Sequence, residues 1–210
     1  MLYYLKNIYR YERTAGTQIS KKAYEFSRNS LKLEMYDKDL LKLDLKNSSF
    51  DMITIWHVLE HVQDPEGYVK RISELLCTKG HLIIEVPNFN SWTSKLTGKY
   101  WLGLDLDYHM FFFTANSLSR ILKKYGFRIK KTQTFSVEYS TFISAQSLIS
   151  FITRTEHLFF SYIQNGYFKW KISLHTALFI LISPICFLLN MLLYFSDKGE
   201  VLLFVAQKSD

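Results

Sequence analysis

Short apolar runs alternate with amphipathic segments between residues 20 and 135. The run Phe50–Trp56 is rich in β-branched and aromatic residues and carries apolar side chains toward both faces, which predicts a buried strand. His81–Val86 has the same character, and Leu33–Tyr36 is a shorter strand candidate. Because a strand buried on both faces is typical of a parallel sheet covered by helices, this pattern favours such a sheet.

Segments with helical spacing of apolar residues lie between these runs. Residues 64–76 begin with a capping aspartate followed by proline, and residues 116–126 end in glycine, as helices commonly do. Phe127–Phe135 alternates apolar and polar residues like a strand. A last strand is predicted at Glu200–Gln207, and the turn at 197–199 before it allows this strand to join the sheet antiparallel to its neighbour. The alternation of helices and strands predicts an α/β domain with a mostly parallel sheet.

One run without charged residues, 172–196, is long enough to cross a membrane. A crossing would, however, separate Glu200–Gln207 from the sheet that it is predicted to complete. Pro184 divides the run into two pieces of about a dozen residues, nearer the length of buried or re-entrant segments. The sequence therefore predicts a proline-split helical pair that lies on a membrane or caps the substrate side. A helix packed wholly within the domain is the alternative.

Composition and charge narrow the possible partners. The chain is 48% hydrophobic, which excludes a disordered protein, and its net charge of +7 favours acidic partners such as anionic lipid. The basic residues are scattered and match no nucleic-acid motif, so no nucleic-acid partner is expected. Cys77 and Cys186 lie far apart and the N-terminus lacks a signal-peptide pattern. These features predict a reducing, cytoplasmic location, peripheral to a membrane or anchored in it if residues 172–196 bind lipid.

The turn after Phe50–Trp56 carries the polar residues His57, Glu60 and His61. Ligands of open α/β sheets bind at the carboxyl ends of strands, which is where this turn is expected. The HxxEH spacing also occurs in zinc hydrolases, where both histidines lie on one helix. Here a helix is predicted only after Asp64 and no third ligand is evident, so a polar turn is favoured and no metal site is predicted.

Three motifs, in this order, resemble class I S-adenosylmethionine-dependent methyltransferases of the subgroup with an LEH…DP turn: FDMITIWHVLEHVQDPEGYVKRISELL, GHLIIEVPN and LDLDYHMFFFTANSLSRILKKYGF. The resemblance covers roughly residues 19–135, and Val201–Lys208 fits the family's last strand. It implies a Rossmann-like sheet and methyl transfer from S-adenosylmethionine. The acceptor is unknown from the sequence. A small molecule and a hydrophobic or lipid-linked acceptor are both expected possibilities, and residues 172–196 could contact a membrane surface.

The resemblance also implies roles for single residues. Asp39, followed by Leu40, stands where the family has a carboxylate for the adenine amino group. Gln18 replaces the acidic residue that holds the ribose, and Trp56 and His57 correspond to the turn along the methionine end of the cofactor.

The resemblance places His109 on the substrate side. There it would position the acceptor or act as a base, since imidazole titrates near neutral pH. A structural histidine between Tyr108 and Phe111 is the alternative.

The chain departs from the family near its N-terminus. The first strand and its Gly-rich loop are missing, since Gly16 is the only glycine before Ser20 and Leu2–Tyr11 resembles the helix after that loop. This predicts an N-terminally truncated or degenerate methyltransferase. If it is not active, the alternative is a non-catalytic methyltransferase remnant or a membrane-associated binding protein. The predicted organisation is a partial α/β core in 1–145, an aromatic and apolar helical insertion in 146–196, and the final strand in 197–210.

Overall fold

The computed structural model describes residues 1–137, 139–155, 158–166, 171–194 and 196–209. The chain divides into two compact units, residues 1–46 and residues 47–210. Helices alternate with strands in both units, so the predicted α/β class is confirmed.

The first unit contains a two-stranded parallel sheet. Its elements are α1 (Leu2–Asn7), β1 (Ala15–Thr17), α2 (Lys21–Glu25) and β2 (Glu34–Tyr36). Ala15 pairs with Glu34 and Thr17 with Tyr36, so both strands end at the same edge of the sheet. Ser20 is the residue before α2, as predicted, although its side chain makes no capping hydrogen bond.

The second unit contains a four-stranded sheet in the order β3–β4–β6–β5. Its strands are β3 (Phe50–Trp56), β4 (Leu76–Pro87), β5 (Phe127–Gln133) and β6 (Val201–Lys208). β3 and β4 are parallel, while β6 is antiparallel to both β4 and β5. Three strands therefore run in one direction and the last strand runs in the other, which is the Rossmann-like arrangement that the sequence predicts.

Two amphipathic helices contribute to the core of the second unit. These are α3 (Pro65–Leu75), which Asp64 caps by accepting a hydrogen bond from Gly67 N, and α5 (Ala115–Lys124), which Thr114 caps. Their apolar side chains and those of the sheet are fully buried: Val69, Ile72, Leu75, Leu82, Ile84, Leu118, Leu122, Leu202 and Phe204. The helix periodicity in the sequence thus identified the packed faces correctly.

The remaining helices lie between β4 and β6 in the chain. They are α4 (Trp92–Thr97), α6 (Ser140–Thr153), α7 (Leu158–Asn165) and α8 (Lys171–Leu192). The predicted helical pair split at Pro184 is wrong, because α8 is one helix of 22 residues with Pro184 inside it. A proline removes one backbone hydrogen bond at a cost of about 3 kcal/mol. The remaining turns of α8 keep their backbone hydrogen bonds and part of the helix packs on α6, so this local cost does not end the helix.

α8 packs on α6 through polar as well as apolar side chains, including Phe179 against Phe142, and exposes many of its apolar side chains. Asn190 Nδ2 donates to the Ser144 hydroxyl over 2.9 Å, and His175 Nε2 lies 3.1 Å from the Thr155 hydroxyl at the end of α6. Asn190, Ser144 and His175 are all buried. The opposite side, called here the outer face of α8, exposes Leu174, Ile180, Leu181, Ile185, Leu188, Met191 and Leu192. This is the reverse of the usual distribution in a helix packed on a water-soluble core.

Candidate functional site

The chain turns sharply where β3 ends. Trp56 is the last residue of β3, pairs in register with Glu85 of β4, and is partly exposed. His57 follows with a φ of 50°, a conformation that is strained for a residue with a Cβ atom. Its backbone N–H donates to the Glu85 carbonyl over 2.9 Å, which holds the turn against β4. Strained backbone of this kind is concentrated at functional sites.

The His57 imidazole lies between two buried carboxylates. Nδ1 is 3.2 Å from Glu60 Oε1 and Nε2 is 3.1 Å from Glu85 Oε1. Burial lowers the pKa of His57, but the hydrogen bonds and charges of Glu60 and Glu85 outweigh it and raise the pKa to about 9. His57 is therefore a cation at neutral pH, and both of its ring nitrogens are engaged. We call His57, Glu60 and Glu85 the His57 cluster.

A second group of side chains meets beside the His57 cluster. One ligand atom each from Glu60, His61 and His109 lies within 4.8 Å of the other two. Met110 N and Phe111 N donate to the Glu60 carbonyl over 2.8 and 3.2 Å, which fixes the His109 segment against the turn. These three side chains, called here the Glu60–His61–His109 triad, form a group that could hold a metal ion.

The triad differs from the HxxEH pattern in the sequence. Residues 57–61 form a turn and no helix, so the helical zinc arrangement is absent. His57 faces two carboxylates, while His109, 48 residues after His61, supplies the third ligand atom. Sequence spacing alone missed His109 because a loop-to-turn contact has no fixed spacing. The prediction of a polar turn is correct, since Glu60 joins β3 to the segment around residue 110.

The first unit carries the other predicted cofactor residues. Gln18 follows β1, and its backbone N–H donates to the Tyr36 carbonyl over 2.9 Å. Asp39 follows β2 and caps the short helical turn that begins at Leu40, where Oδ1 accepts from Leu41 N over 2.9 Å. Both side chains thus follow the carboxyl ends of neighbouring parallel strands, the edge where open sheets bind ligands.

The predicted site residues therefore divide between the two units. Gln18, Asp39 and Leu40 belong to the first, and Trp56, His57 and His109 belong to the second. Their individual roles remain predictions.

A buried glutamate outside these groups escaped the sequence analysis. The Glu200 carboxylate precedes β6, and its Oε2 accepts from Thr93 Oγ1 over 2.5 Å and from Trp101 Nε1 over 3.3 Å. Burial raises the pKa of Glu200 to about 7, although hydrogen bonds from Thr93, Trp101 and Ser91 lower it in part. We call Glu200, Thr93 and Trp101 the Glu200 cluster. No local pattern indicates it, since its partners lie 107 and 99 residues away.

The sequence can be placed by comparison with known proteins. A profile of the methyltransferase domain matches residues 7–132, more than half of the chain. The chain belongs to this methyltransferase family. No protein of curated function matches it significantly. The methyl donor of class I members is S-adenosylmethionine, so the family and cofactor predicted from the three motifs are confirmed.

Solved structures share the fold of this methyltransferase domain. An S-adenosylmethionine-dependent methyltransferase from Archaeoglobus fulgidus is 16% identical, with a TM-score of 0.54 over 92% of this chain and 75% of that one. A 1,6-didemethyltoxoflavin-N1-methyltransferase from Burkholderia thailandensis was solved with bound 1,6-didemethyltoxoflavin and S-adenosylhomocysteine. It is 13% identical, and the alignment covers 97% of this chain and 64% of that one with a TM-score of 0.53.

The cyclase SpnF is also similar, at 12% identity and a TM-score of 0.55, with 93% of this chain aligned. This methyltransferase domain spans 65% of the length of SpnF. At such low identities the likeness shows the fold alone, and a cyclase among the neighbours illustrates that the fold hosts more than one activity.

Proposed function

We propose that this methyltransferase domain transfers a methyl group from S-adenosylmethionine to an apolar or lipid-linked acceptor at a membrane surface. The family supports the reaction class, and the outer face of α8 supports the nature of the acceptor and the location. The two parts are tested separately below.

The cofactor side of the proposal uses the residues at the strand ends. When bound, S-adenosylmethionine supplies an electrophilic methyl group on a sulfonium. Asp39 would accept from its adenine amine, and Gln18 would bind the ribose through an amide that both donates and accepts. Trp56 offers a partly exposed ring at the end of β3, and Leu40 offers apolar contact beside Asp39.

His109 is the residue proposed for the acceptor side. Its Nδ1 lies 2.9 Å from the Gly103 carbonyl, which can only accept, so Nδ1 carries the proton and Nε2 keeps its lone pair. A neutral Nε2 can accept the proton that an acceptor hydroxyl or amine releases on methylation, or it can orient that group. Holding the acceptor in line with the sulfonium methyl accounts for most of the rate enhancement in such a reaction.

The packing of α8 is the observation that carries the membrane part of the proposal. Small and polar side chains between helices, with apolar side chains outside, are the arrangement of helices surrounded by lipid. Ser140, Ser144, Ser147 and Ser150 are buried along α6, and Asn190 reaches two of them. Among the described residues α8 is the one helix long and apolar enough to cross a membrane, with 17% of its most apolar window buried.

Calorimetric titration of the full chain with S-adenosylmethionine tests the cofactor side. We expect saturable binding that weakens about tenfold in Asp39→Ala, since a charge-assisted hydrogen bond contributes about 1.4 kcal/mol or more. Asp44→Ala is the matched control, an exposed loop aspartate that should leave the affinity unchanged. Absence of heat at millimolar cofactor would contradict the proposal and favour a non-catalytic binding protein.

Flotation with vesicles of phosphatidylcholine and phosphatidylglycerol tests the membrane side. The triple variant Leu181→Gln, Ile185→Gln, Leu188→Gln should stay with the soluble fraction, while the parent chain floats with the vesicles. A control triple variant changes Ile19, Leu106 and Val137, which are equally exposed apolar residues outside α8. Equal flotation of the parent and the α8 variant would overturn the membrane proposal but leave the methyltransferase proposal intact.

A further inference from the structure

We infer that the Glu60–His61–His109 triad binds one divalent transition-metal ion. The inference rests on the geometry of the triad and not on the reaction class. An ion bound by His109 Nε2 would, however, take the lone pair that the proposed function gives to the acceptor, so these two roles of the nitrogen exclude each other. It changes the expectation drawn from the sequence, which identified no third ligand.

The histidines of the triad are prepared as metal ligands. His61 Nδ1 lies 3.0 Å from the Tyr108 carbonyl, and His109 Nδ1 lies 2.9 Å from the Gly103 carbonyl. Because a carbonyl only accepts, each Nδ1 carries the proton and each Nε2 presents a lone pair. A carbonyl partner on the second ring nitrogen is what fixes the tautomer and orientation of metal-bound histidines.

Glu60 completes the triad with a carboxylate oxygen that lacks a partner. The Glu60 side chain is 1% exposed, and its Oε1 faces the His57 ring over 3.2 Å. The other oxygen, Oε2, is buried and has no hydrogen-bond partner in the part of the chain that the structure describes. A buried carboxylate oxygen without a partner is unfavourable, and a metal ion at this point would remove that cost.

The donor set selects the class of metal. Two imidazoles and one carboxylate suit zinc, iron, cobalt or manganese, whereas magnesium and calcium prefer oxygen ligands alone. The His61 and His109 rings are 4.7 Å apart and inclined by 59°, so they converge without stacking flat. The ligand atoms lie within 4.8 Å of one another, whereas the ligand atoms around a bound ion are about 3–4 Å apart. Binding therefore requires the side chains to move slightly inward. His61 is exposed and His109 is half-buried, so both side chains have room for this movement.

Three protein ligands leave at least one coordination position open. Such a position is filled by water or by an oxygen of a second ligand, as at catalytic metal sites. His57 contacts the triad through Glu60, since its Nδ1 lies 3.2 Å from Glu60 Oε1 and leaves Oε2 available to an ion.

Titration of the chelator-treated full chain with Zn²⁺, in the absence of S-adenosylmethionine, tests the inference. We expect one ion per chain, and a loss of at least tenfold in affinity in both His61→Ala and His109→Ala. Co²⁺ provides a spectroscopic readout, since visible absorption bands should accompany binding and disappear in both variants. His81→Ala is the matched control, because His81 is exposed on β4 and outside the triad.

Glu60→Gln is included because it keeps the shape of the side chain and can be checked for folding by circular dichroism. It should weaken Zn²⁺ binding by at least tenfold, since an amide is a poor ligand for this metal. Absence of stoichiometric binding by the parent chain, or an equal loss of affinity in His81→Ala, would overturn the inference. Because no cofactor is present, failure here leaves the proposed methyltransferase activity untouched.

Discussion

The second unit buries glutamate side chains in two settings that differ in their partners. In the His57 cluster two carboxylates face one imidazolium, and in the Glu200 cluster one carboxyl group receives hydrogen bonds from the neutral donors Thr93 and Trp101. Burial raises the pKa of Glu200 to about 7, and the hydrogen bonds from its neutral donors offset this rise only in part. The two clusters thus differ in the partner of the carboxylate. The His57 cluster, at the end of β3, has a cation, and the Glu200 cluster, inside the core, has neutral donors.

Truncation of Trp101 should lower the free energy of unfolding most, because it removes a hydrogen-bond donor to Glu200 and leaves a cavity in the core. Trp101 is 1% exposed and packs with Ile143 and Val201. We expect Trp101→Ala to lower the free energy of unfolding by about 4 kcal/mol, from the cavity and from the lost donor to Glu200. Chemical denaturation measures this change.

Trp101→Phe separates the two contributions. Phenylalanine keeps most of the ring packing and removes the indole N–H, so the loss should fall to about 1–2 kcal/mol. A loss in Trp101→Phe as large as in Trp101→Ala would show that packing is not the main contribution of this side chain.

His57→Gln should have the next largest effect, about 3 kcal/mol in chelator-treated protein, because it leaves two buried carboxylates without their cation. The pH window follows from the sign of the shift. The pKa of His57 is raised from 6.5 to about 9, so its stabilisation is complete below pH 6.5 and is lost as the pH rises through 9. Denaturation profiles between pH 6 and pH 10 (values chosen around that window) should therefore slope in the parent and be flatter in His57→Gln.

The combined variant His57→Gln, Glu60→Gln, Glu85→Gln is the control for this interpretation. Neutral amides do not need a cation, so the combined variant should recover part of the stability that His57→Gln loses. A combined variant less stable than His57→Gln would show that packing, and not charge, dominates at this position.

The elements of the fold were largely predictable from sequence because their signals are local. β3 occupies Phe50–Trp56 as predicted, and α3 begins after Asp64 and before Pro65, where the capping pattern placed it. The failure at Pro184 is also local, since α8 continues through the proline and loses one backbone hydrogen bond there. The propensity of a single residue is a weak guide inside a long helix.

The polar clusters were less predictable because they depend on residues far apart in the chain. The sequence identified His57 and His109 through resemblance, but it did not show that His57 faces Glu85, 28 residues away. It also gave no indication that Glu200 is buried, since charged residues are mostly exposed and the pairing with Thr93 forms only in the folded chain.

Glu200→Gln is predicted to stabilise the protein at alkaline pH, which is the opposite sign to His57→Gln. The pKa of Glu200 is raised from 4.5 to about 7, so its favourable contribution is complete below pH 4.5 and is lost as the pH rises through 7. At pH 8 (a value chosen above that window) we expect Glu200→Gln to gain about 3 kcal/mol relative to the parent. Near pH 5 the two proteins should differ little, and a stability gain that is the same at both pH values would contradict this assignment.

Thr93→Val should have the smallest effect on stability. It tests how far one neutral donor sets the pKa of Glu200. Valine keeps the shape of the side chain and removes a hydroxyl that donates to Glu200 Oε2, so we expect a loss of about 1 kcal/mol. The hydrogen bond from Thr93 lowers the pKa of Glu200, so its removal should raise that pKa and move the pH window upward. Thr97→Val is the matched control, a buried threonine whose hydroxyl donates to the Thr93 carbonyl. If Thr97→Val shifts the window as far as Thr93→Val, the pKa of Glu200 is set by burial alone and not by its neutral donors.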